Sequence, residues 1–235
     1  MNAFNPPPMD LRKLTEQVTA ISVDVASFIR SEAGKLTDAR VSAKSANNLV
    51  THVDHVSEDR LVEGLEKLLP EAGFIAEEGS GEQRERLNWV IDPLDGTTNF
   101  VHGVPCYCIS IALLDGTEPL LGVVHEVTRD ERFTAWRGGG AYLNGLPIRV
   151  SERTTLQDSL LATGFPYDDF GYESEYMDLL RELMHRTRGL CGLRPLRGLL
   201  RVRAEQLGRG RRCAAGARGG RTRKRVPPQQ GPRVR

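Results

Sequence analysis

The sequence has few aromatic residues, few cysteines and no long apolar run, and each shortage excludes a class of protein. Aromatic residues make up 6% of the 235, and two of them are tryptophan. No stretch reaches the roughly eighteen apolar residues that a membrane-spanning helix needs, so we expect none. The first residues contain neither a basic nor an apolar segment, so no secretory signal peptide is expected. Four cysteines are too few for a disulfide scaffold. Together these absences favour a cytoplasmic protein with free thiols.

Acidic residues are almost missing from the end of the chain, although the net charge of the whole is only +1. Residues 191–235 contain thirteen arginines and one lysine against a single acid, Glu205. The same segment contains eight glycines, four prolines and no aromatic residue. Such a composition buries too little apolar surface to fold. We therefore expect a boundary near Leu190, between a folded region at 1–190 and an Arg/Gly-rich tail at 191–235.

Two interpretations of this tail remain open. Arginine-rich segments attract phosphate backbones, which favours RNA binding, although the tail lacks the aromatic side chains on which bases stack. A GC-rich coding sequence translated in the wrong frame also yields Arg, Gly, Ala and Pro. In that case the tail would be disordered or non-native, and the folded region before it would be truncated.

Two helices are expected before a series of short strands. Apolar residues from Leu11 to Ile29 recur every three or four positions, which predicts a helix capped by Asp10. A second helix is predicted over 54–69 and ended by Pro70. Short apolar runs then predict strands, and a last helix is predicted over 172–186. Turns between strands are expected at Asp115-Gly116, Arg129-Asp130 and Asn144-Gly145. This order predicts a layered α/β or α+β fold.

The densest group of chemically active residues is the string Trp-Val-Ile-Asp-Pro-Leu-Asp-Gly-Thr-Thr-Asn-Phe at 89–100. An apolar strand ends at Asp92, and Pro93 is expected to end its pairing. Two carboxylates three residues apart, Asp92 and Asp95, are able to converge across this bend, and their oxygen atoms suit Mg²⁺. The Gly-Thr-Thr at 96–98 offers amides and hydroxyls to an anion. The combination predicts phosphate chemistry, whereas an Asp-Gly dipeptide alone is typical of a turn.

Two further strings lie upstream, Leu-Val-Thr-His-Val-Asp at 49–54 and Phe-Ile-Ala-Glu-Glu at 74–78. Taken alone, the first is typical of a strand entering a helix and the second of a solvated loop. Together with 89–100 they resemble the inositol monophosphatase family of Mg²⁺-dependent, lithium-sensitive sugar phosphatases. The segments at 139–145 and 163–166 also resemble this family. The resemblance covers roughly residues 10–190.

The resemblance implies an α/β fold, a layered α/β/α/β/α sandwich of the sugar-phosphatase type whose C-terminal part is incomplete. The family has a second signature near its C-terminus, a Trp-Asp followed by small residues. Both tryptophans of this chain, Trp89 and Trp136, lie elsewhere. The resemblance therefore implies two or three Mg²⁺ ions, with the second site lacking its expected C-terminal aspartate.

The resemblance also implies a role for each site residue. Glu77, Asp92 and the carbonyl of Leu94 would hold the first Mg²⁺, and Asp92 and Asp95 the second. The catalytic residues would be Asp54 and Thr97, which orient and deprotonate the attacking water, together with Glu77. The remaining assignments are phosphate binding by Gly96, Thr97 and Thr98, and outer-shell positions for Glu78 and Lys44.

The implied activity is Mg²⁺-dependent hydrolysis of a small sugar or polyol phosphate by metal-activated water, with inositol monophosphate as the favoured substrate. Histidinol-phosphate, fructose-bisphosphate and nucleotide 3′-phosphate phosphatases of the same group remain alternatives. A non-catalytic product dominated by an RNA-binding tail is a further alternative. The resemblance implies a homodimer, and no membrane partner is expected.

Overall fold

The computed structural model describes residues 9–35, 41–45, 48–164 and 170–192; of residues 41–45, 48–50 and 192 it describes the backbone alone. The predictions for residues 193–235 and for the second half of the segment at 163–166 lie outside the described residues. The elements in chain order are α1 (Leu11–Glu32), β1 (Val41–Ser45), β2 (Asn48–Thr51), α2 (His52–Leu68), β3 (Gly73–Ala76), β4 (Leu87–Asp95), α3 (Thr97–Val101), β5 (Cys108–Asp115), β6 (Glu118–Glu126), β7 (Glu131–Trp136), β8 (Gly140–Leu143), β9 (Leu146–Ile148), a 3-10 helix (Leu156–Asp158), β10 (Leu160–Thr163), α4 (Glu173–Arg186) and β11 (Gly189–Gly192).

The helices α1 and α2 form one layer against the main sheet and contact β4, β6 and β7. The predicted cap of α1 is confirmed, because the Asp10 carboxylate accepts a hydrogen bond from Lys13 N at 3.0 Å. The second helix begins at His52, two residues before the predicted start, because Thr51 caps it by accepting from Val53 N. The apolar stripes of both helices face inward, as their amphipathic periodicity predicts.

The main sheet has seven strands in the order β3-β4-β5-β6-β7-β8-β9. The pair β3–β4 is parallel, and each later pair is antiparallel, as in a meander. The predicted turn at Asn144-Gly145 is confirmed by φ angles of 49° and 80° at its two central residues. The core lies between this sheet and the helix layer, with Val18, Ile29, Leu61, Trp89 and Ile111 almost wholly buried.

The structure contradicts the prediction that Pro93 ends strand pairing, because β4 continues to Asp95. Asp92 pairs with Ser110 and Asp95 with Cys108, so three residue steps on β4 oppose two on β5. This mismatch is a β-bulge. Proline lacks the amide that a regular ladder needs, and a bulge is one of the places in a sheet where that absence is tolerated.

The described C-terminal elements form a smaller group, in which β10 and β11 pair in parallel and α4 contacts β11. The hydroxyl of Tyr176, on α4, donates to the Gly164 carbonyl at 3.0 Å after β10. The predicted fold class is confirmed, since a mixed sheet combines with packed helices. Within the described part of the chain, no helix is both long enough and apolar enough to cross a membrane.

Candidate functional site

The bulge in β4 brings Asp92 and Asp95 to the same face of the sheet. In a regular strand, residues three apart point to opposite faces. Here they pair with Ser110 and Cys108, which are two apart on β5 and therefore share a face. The Cys108 thiol lies 3.8 Å from Asp95 Oδ2, consistent with this register. The two carboxylates are thus brought together by the pairing with β5, rather than by a bend at the end of the strand.

Glu77 joins this pair from the neighbouring parallel strand. β3 ends at Ala76, opposite Ile91, and Glu77 N continues the pairing by donating to Ile91 O at 3.3 Å. The pKa of Asp92 lies well above its usual range because the carboxyl is buried, because Asp95 and Glu77 are negatively charged, and because it is hydrogen bonded to Glu77. Asp95 and Glu77 therefore lie close enough to Asp92 to raise the pKa of its carboxyl group.

The chemistry of this group fits a hard divalent cation. Its donors are carboxylate oxygens, and the charged groups that raise the pKa of Asp92 are both acidic. A cation would relieve their repulsion, and Mg²⁺ binds through one or two carboxylates with water and phosphate completing its shell. Among the described residues, no three His, Cys, Asp or Glu side chains are already arranged to hold a metal ion. Asp92 and Glu77 are hydrogen bonded to each other instead, and cation binding would replace that contact.

Asp54 and Thr97 form a second polar pair beside the carboxylates. The Thr97 hydroxyl lies 2.8 Å from Asp54 Oδ1 and 3.0 Å from the Leu94 carbonyl. The other Asp54 oxygen, Oδ2, accepts from Thr51 N at 2.9 Å and from the Thr51 hydroxyl at 2.6 Å. Burial raises the pKa of Asp54, although these hydrogen bonds act in the opposite direction. Asp54 is 2% exposed, so its orientation is set by these contacts.

Gly96 makes the tight connection between β4 and α3. Its φ of 98° lies in the left-handed region, and a Cβ there would approach the Cys106 carbonyl to 3.0 Å. The first hydrogen bond of α3 runs from Phe100 N to Gly96 O, so the amides of Thr97 and Thr98 precede the helical ladder. The turn therefore requires glycine, and it places the Thr97 hydroxyl beside Asp54.

For three further predicted residues the structure shows the position on the fold and, for two of them, a backbone contact. Glu78 is partly buried, and its amide donates to the Glu58 carboxylate at 2.8 Å. Lys44 lies on β1, and its side chain is outside the described residues. Thr98 lies on α3, partly buried, and its carbonyl accepts from His102 N at 3.1 Å. Their predicted roles stay predictions.

Sequence reasoning missed Glu58, a fully buried carboxylate on α2. Its side chain accepts hydrogen bonds from the amides of Glu78 and Ser80, each at 2.8 Å. A signal was present, since Glu58 precedes the buried Leu61 and Leu65 by three and seven residues. An acid on the apolar stripe of a helix is expected to have a specific partner.

Cys108 also contacts the carboxylate group. It is fully buried, and its pKa is raised well above the usual range, first by burial and then by the charges of Asp95 and Asp92. A protonated thiol is a weak hydrogen-bond donor, and its contact with Asp95 uses that proton. Cys108 therefore lines the site with an uncharged thiol.

In a comparison with known protein families, residues 10–198 match the model of the inositol monophosphatase family. Among curated relatives, the Nus factor SuhB of Pseudomonas aeruginosa is 45% identical over 159 residues, which are 64% of this chain and 58% of that protein. The inositol-1-monophosphatase of Rhizobium meliloti is 39% identical over 163 residues, with coverage of 67% and 60%. The chain thus spans about three fifths of the length of these two relatives.

A solved structure is also similar to this chain. The extragenic suppressor protein suhB of Bartonella henselae aligns with a TM-score of 0.71 and 31% sequence identity. The alignment covers 77% of this chain and 70% of that one.

Proposed function

Because the chain belongs to the inositol monophosphatase family, we propose that residues 1–190 form a Mg²⁺-dependent phosphatase region that hydrolyses a small sugar or polyol phosphate. The observation that carries the proposal is the β4 bulge, which puts Asp92 and Asp95 on one face beside Glu77. Inositol monophosphate is the favoured substrate, supported by the activity named for the Rhizobium relative. Homodimer formation, testable by light scattering, belongs to the same proposal.

The cation would be held by Glu77, Asp92, Asp95 and the carbonyl of Leu94. When bound, Mg²⁺ supplies positive charge against the developing charge on phosphate oxygens and lowers the pKa of coordinated water. The amides of Gly96 and Thr97, at the turn into α3, would hold oxygens of the phosphate. Thr98 would add a hydroxyl to the same subsite. These roles extend the family resemblance to residues that the fold brings near one another.

Asp54 and Thr97 would handle the proton of the attacking water. The Thr97 hydroxyl has one proton and two acceptors within reach, and the Asp54 carboxylate is both the nearer and the charged one. While Thr97 donates a hydrogen bond to Asp54, its oxygen lone pairs are left to accept a hydrogen bond from water. The proton of water would then pass to the Thr97 oxygen as the hydroxyl proton passes to Asp54. Burial raises the pKa of Asp54, which makes it a better base than a solvated aspartate.

The proposal is tested with the purified full chain and a panel of phosphate monoesters. The panel contains inositol 1-phosphate, histidinol phosphate, fructose 1,6-bisphosphate and a nucleoside 3′-phosphate, and released phosphate is measured with and without Mg²⁺. We expect Mg²⁺-dependent release that is fastest with inositol phosphate and is abolished by a chelator. Release that persists at full rate after chelation would contradict the metal assignment, and no release from any substrate would contradict the proposed activity.

A second candidate is a role that needs no turnover, supported by the name Nus factor given to the Pseudomonas relative. A cell that lacks this gene, complemented with Asp92→Asn, separates the two functions. Growth restored by the variant as well as by the wild type would favour the non-catalytic role. Growth restored by the wild type alone would favour the phosphatase.

A further inference from the structure

Glu58 is a buried carboxylate for which the proposed reaction has no use. It lies on α2 one helical turn after Asp54, and 0% of its surface is exposed. A charged group in this position is costly unless it is hydrogen bonded. Its partners are backbone amides of the loop after β3: Oε2 accepts from Glu78 N and Oε1 from Ser80 N, each at 2.8 Å.

The four backbone amides from residue 77 to residue 80 all donate hydrogen bonds, and Glu58 accepts two of these bonds. Glu77 N donates to Ile91 O at 3.3 Å and Gly79 N to Ala76 O at 3.3 Å. The two bonds to Glu58 are shorter, and bonds to a carboxylate are also the stronger kind. Between them lies Gly79 with a φ of 90°, which ordinary side chains rarely adopt. The carboxylate thus holds the loop on both sides of its least restricted residue.

We propose that Glu58 is a positioning residue for Glu77, which fixes the loop 77–80 and thereby sets the affinity of the site for a divalent cation. Glu77 precedes the first clamped amide by one residue and contacts Asp92. Asp54 projects from the same helix one turn earlier, so α2 positions both the proposed base and the loop of a proposed metal ligand. The inference rests on the proposed function and adds a residue that never touches the reacting atoms.

Glutamine and aspartate separate position from charge at this residue. Glu58→Gln keeps the shape of the side chain, but its NH₂ group faces a backbone N–H and loses one of the two bonds. Glu58→Asp keeps the negative charge, but it is one methylene shorter and does not reach both amides. Glu63→Gln is the matched control, because Glu63 lies on the same helix, exposed and paired with Lys67 at 2.6 Å.

The experiment compares wild type, the two Glu58 variants and the control in the full chain. Hydrogen exchange of the peptide covering 77–81 is measured without metal, and Mg²⁺ affinity is measured by calorimetry. We expect faster exchange in that peptide and about tenfold to hundredfold weaker Mg²⁺ binding in both Glu58 variants, the range typical for residues that orient metal ligands. The control is expected to match wild type in both measurements.

Three results would overturn the inference while wild type binds Mg²⁺ normally. The first is unchanged exchange in both Glu58 variants. The second is faster exchange with unchanged Mg²⁺ affinity. The third is weakened binding in Glu58→Gln alone, which would make charge the cause. A wild-type chain that binds no Mg²⁺ overturns the proposed function as well, and is thereby distinguished from failure of the positioning role alone.

Discussion

Replacing Asp92 by asparagine is expected to stabilise the metal-free protein and to abolish its activity. Asp92 Oδ1 accepts a hydrogen bond from Leu94 N at 3.2 Å, and the carboxyl group is also bonded to Glu77. Asparagine retains both interactions, because its oxygen accepts from Leu94 N and its NH₂ donates to Glu77. The substitution therefore replaces a carboxyl group that must either be charged beside Asp95 and Glu77 or take up a proton when the chain folds, and it removes neither volume nor a hydrogen bond.

The expected gain in stability and the expected loss of activity are both large enough to measure. A single stabilising substitution commonly adds about 0.5–2 kcal/mol to the free energy of unfolding, and we expect Asp92→Asn to fall in that range. For a chain of this length that corresponds to a rise in Tm of roughly 1–8 °C. Loss of a cation ligand is expected to lower kcat by roughly 10³, or about 4 kcal/mol of transition-state stabilisation.

The assay pairs thermal unfolding in a chelator with phosphate release in saturating Mg²⁺. Asp59→Asn is the control, because Asp59 is an exposed acid on α2 and its loss leaves the site unchanged. We expect the control to match wild type in both measurements. An Asp92→Asn protein that melts below wild type without metal would refute the repulsion argument. One that turns over at the wild-type rate would refute the metal-ligand role.

Three further predictions concern other parts of the molecule. Thr97→Val should lower kcat by roughly 10²-fold or more because it removes the hydroxyl through which Asp54 would take the proton of water, whereas Thr97→Ser should retain most of the rate; equal kcat in the two variants would exclude the hydroxyl from the reaction. Gly96→Ala should cost about 1–3 kcal/mol in denaturant unfolding, since φ is 98° and the Cβ meets a carbonyl at 3.0 Å; unchanged stability would contradict that strain. Burial lowers the pKa of His125 from 6.5, so the unfolded chain binds more protons and stability falls as the pH drops below 6.5 towards the lower folded-state pKa. In urea titrations from pH 7 to pH 5, His125→Gln should lose less stability than wild type, and identical losses would contradict this reasoning.

Local sequence signals determined much of the fold. The three- and four-residue spacing from Leu11 to Ile29 specifies the buried stripe of α1, because helical periodicity is a property of neighbouring residues. Asn144-Gly145 specifies its turn, since both residues tolerate positive φ. The string at 89–100 likewise identified the segment that carries Asp92, Asp95 and Thr97.

What the sequence left undetermined depends on contacts between distant segments. Pro93 interrupts the ladder locally, but only pairing with β5 turns that interruption into a bulge and brings Asp95 to the face of Asp92. The contact between Glu77 and Asp92 exists because β3 and β4 are parallel neighbours, and the fourteen positions between the two residues do not reveal that pairing. Glu58 is buried because α2 packs on the sheet, and its partners lie twenty and twenty-two residues away along the chain. Sequence periodicity specifies local conformation, whereas the register of the sheet and the packing of the helix decide which carboxylates meet.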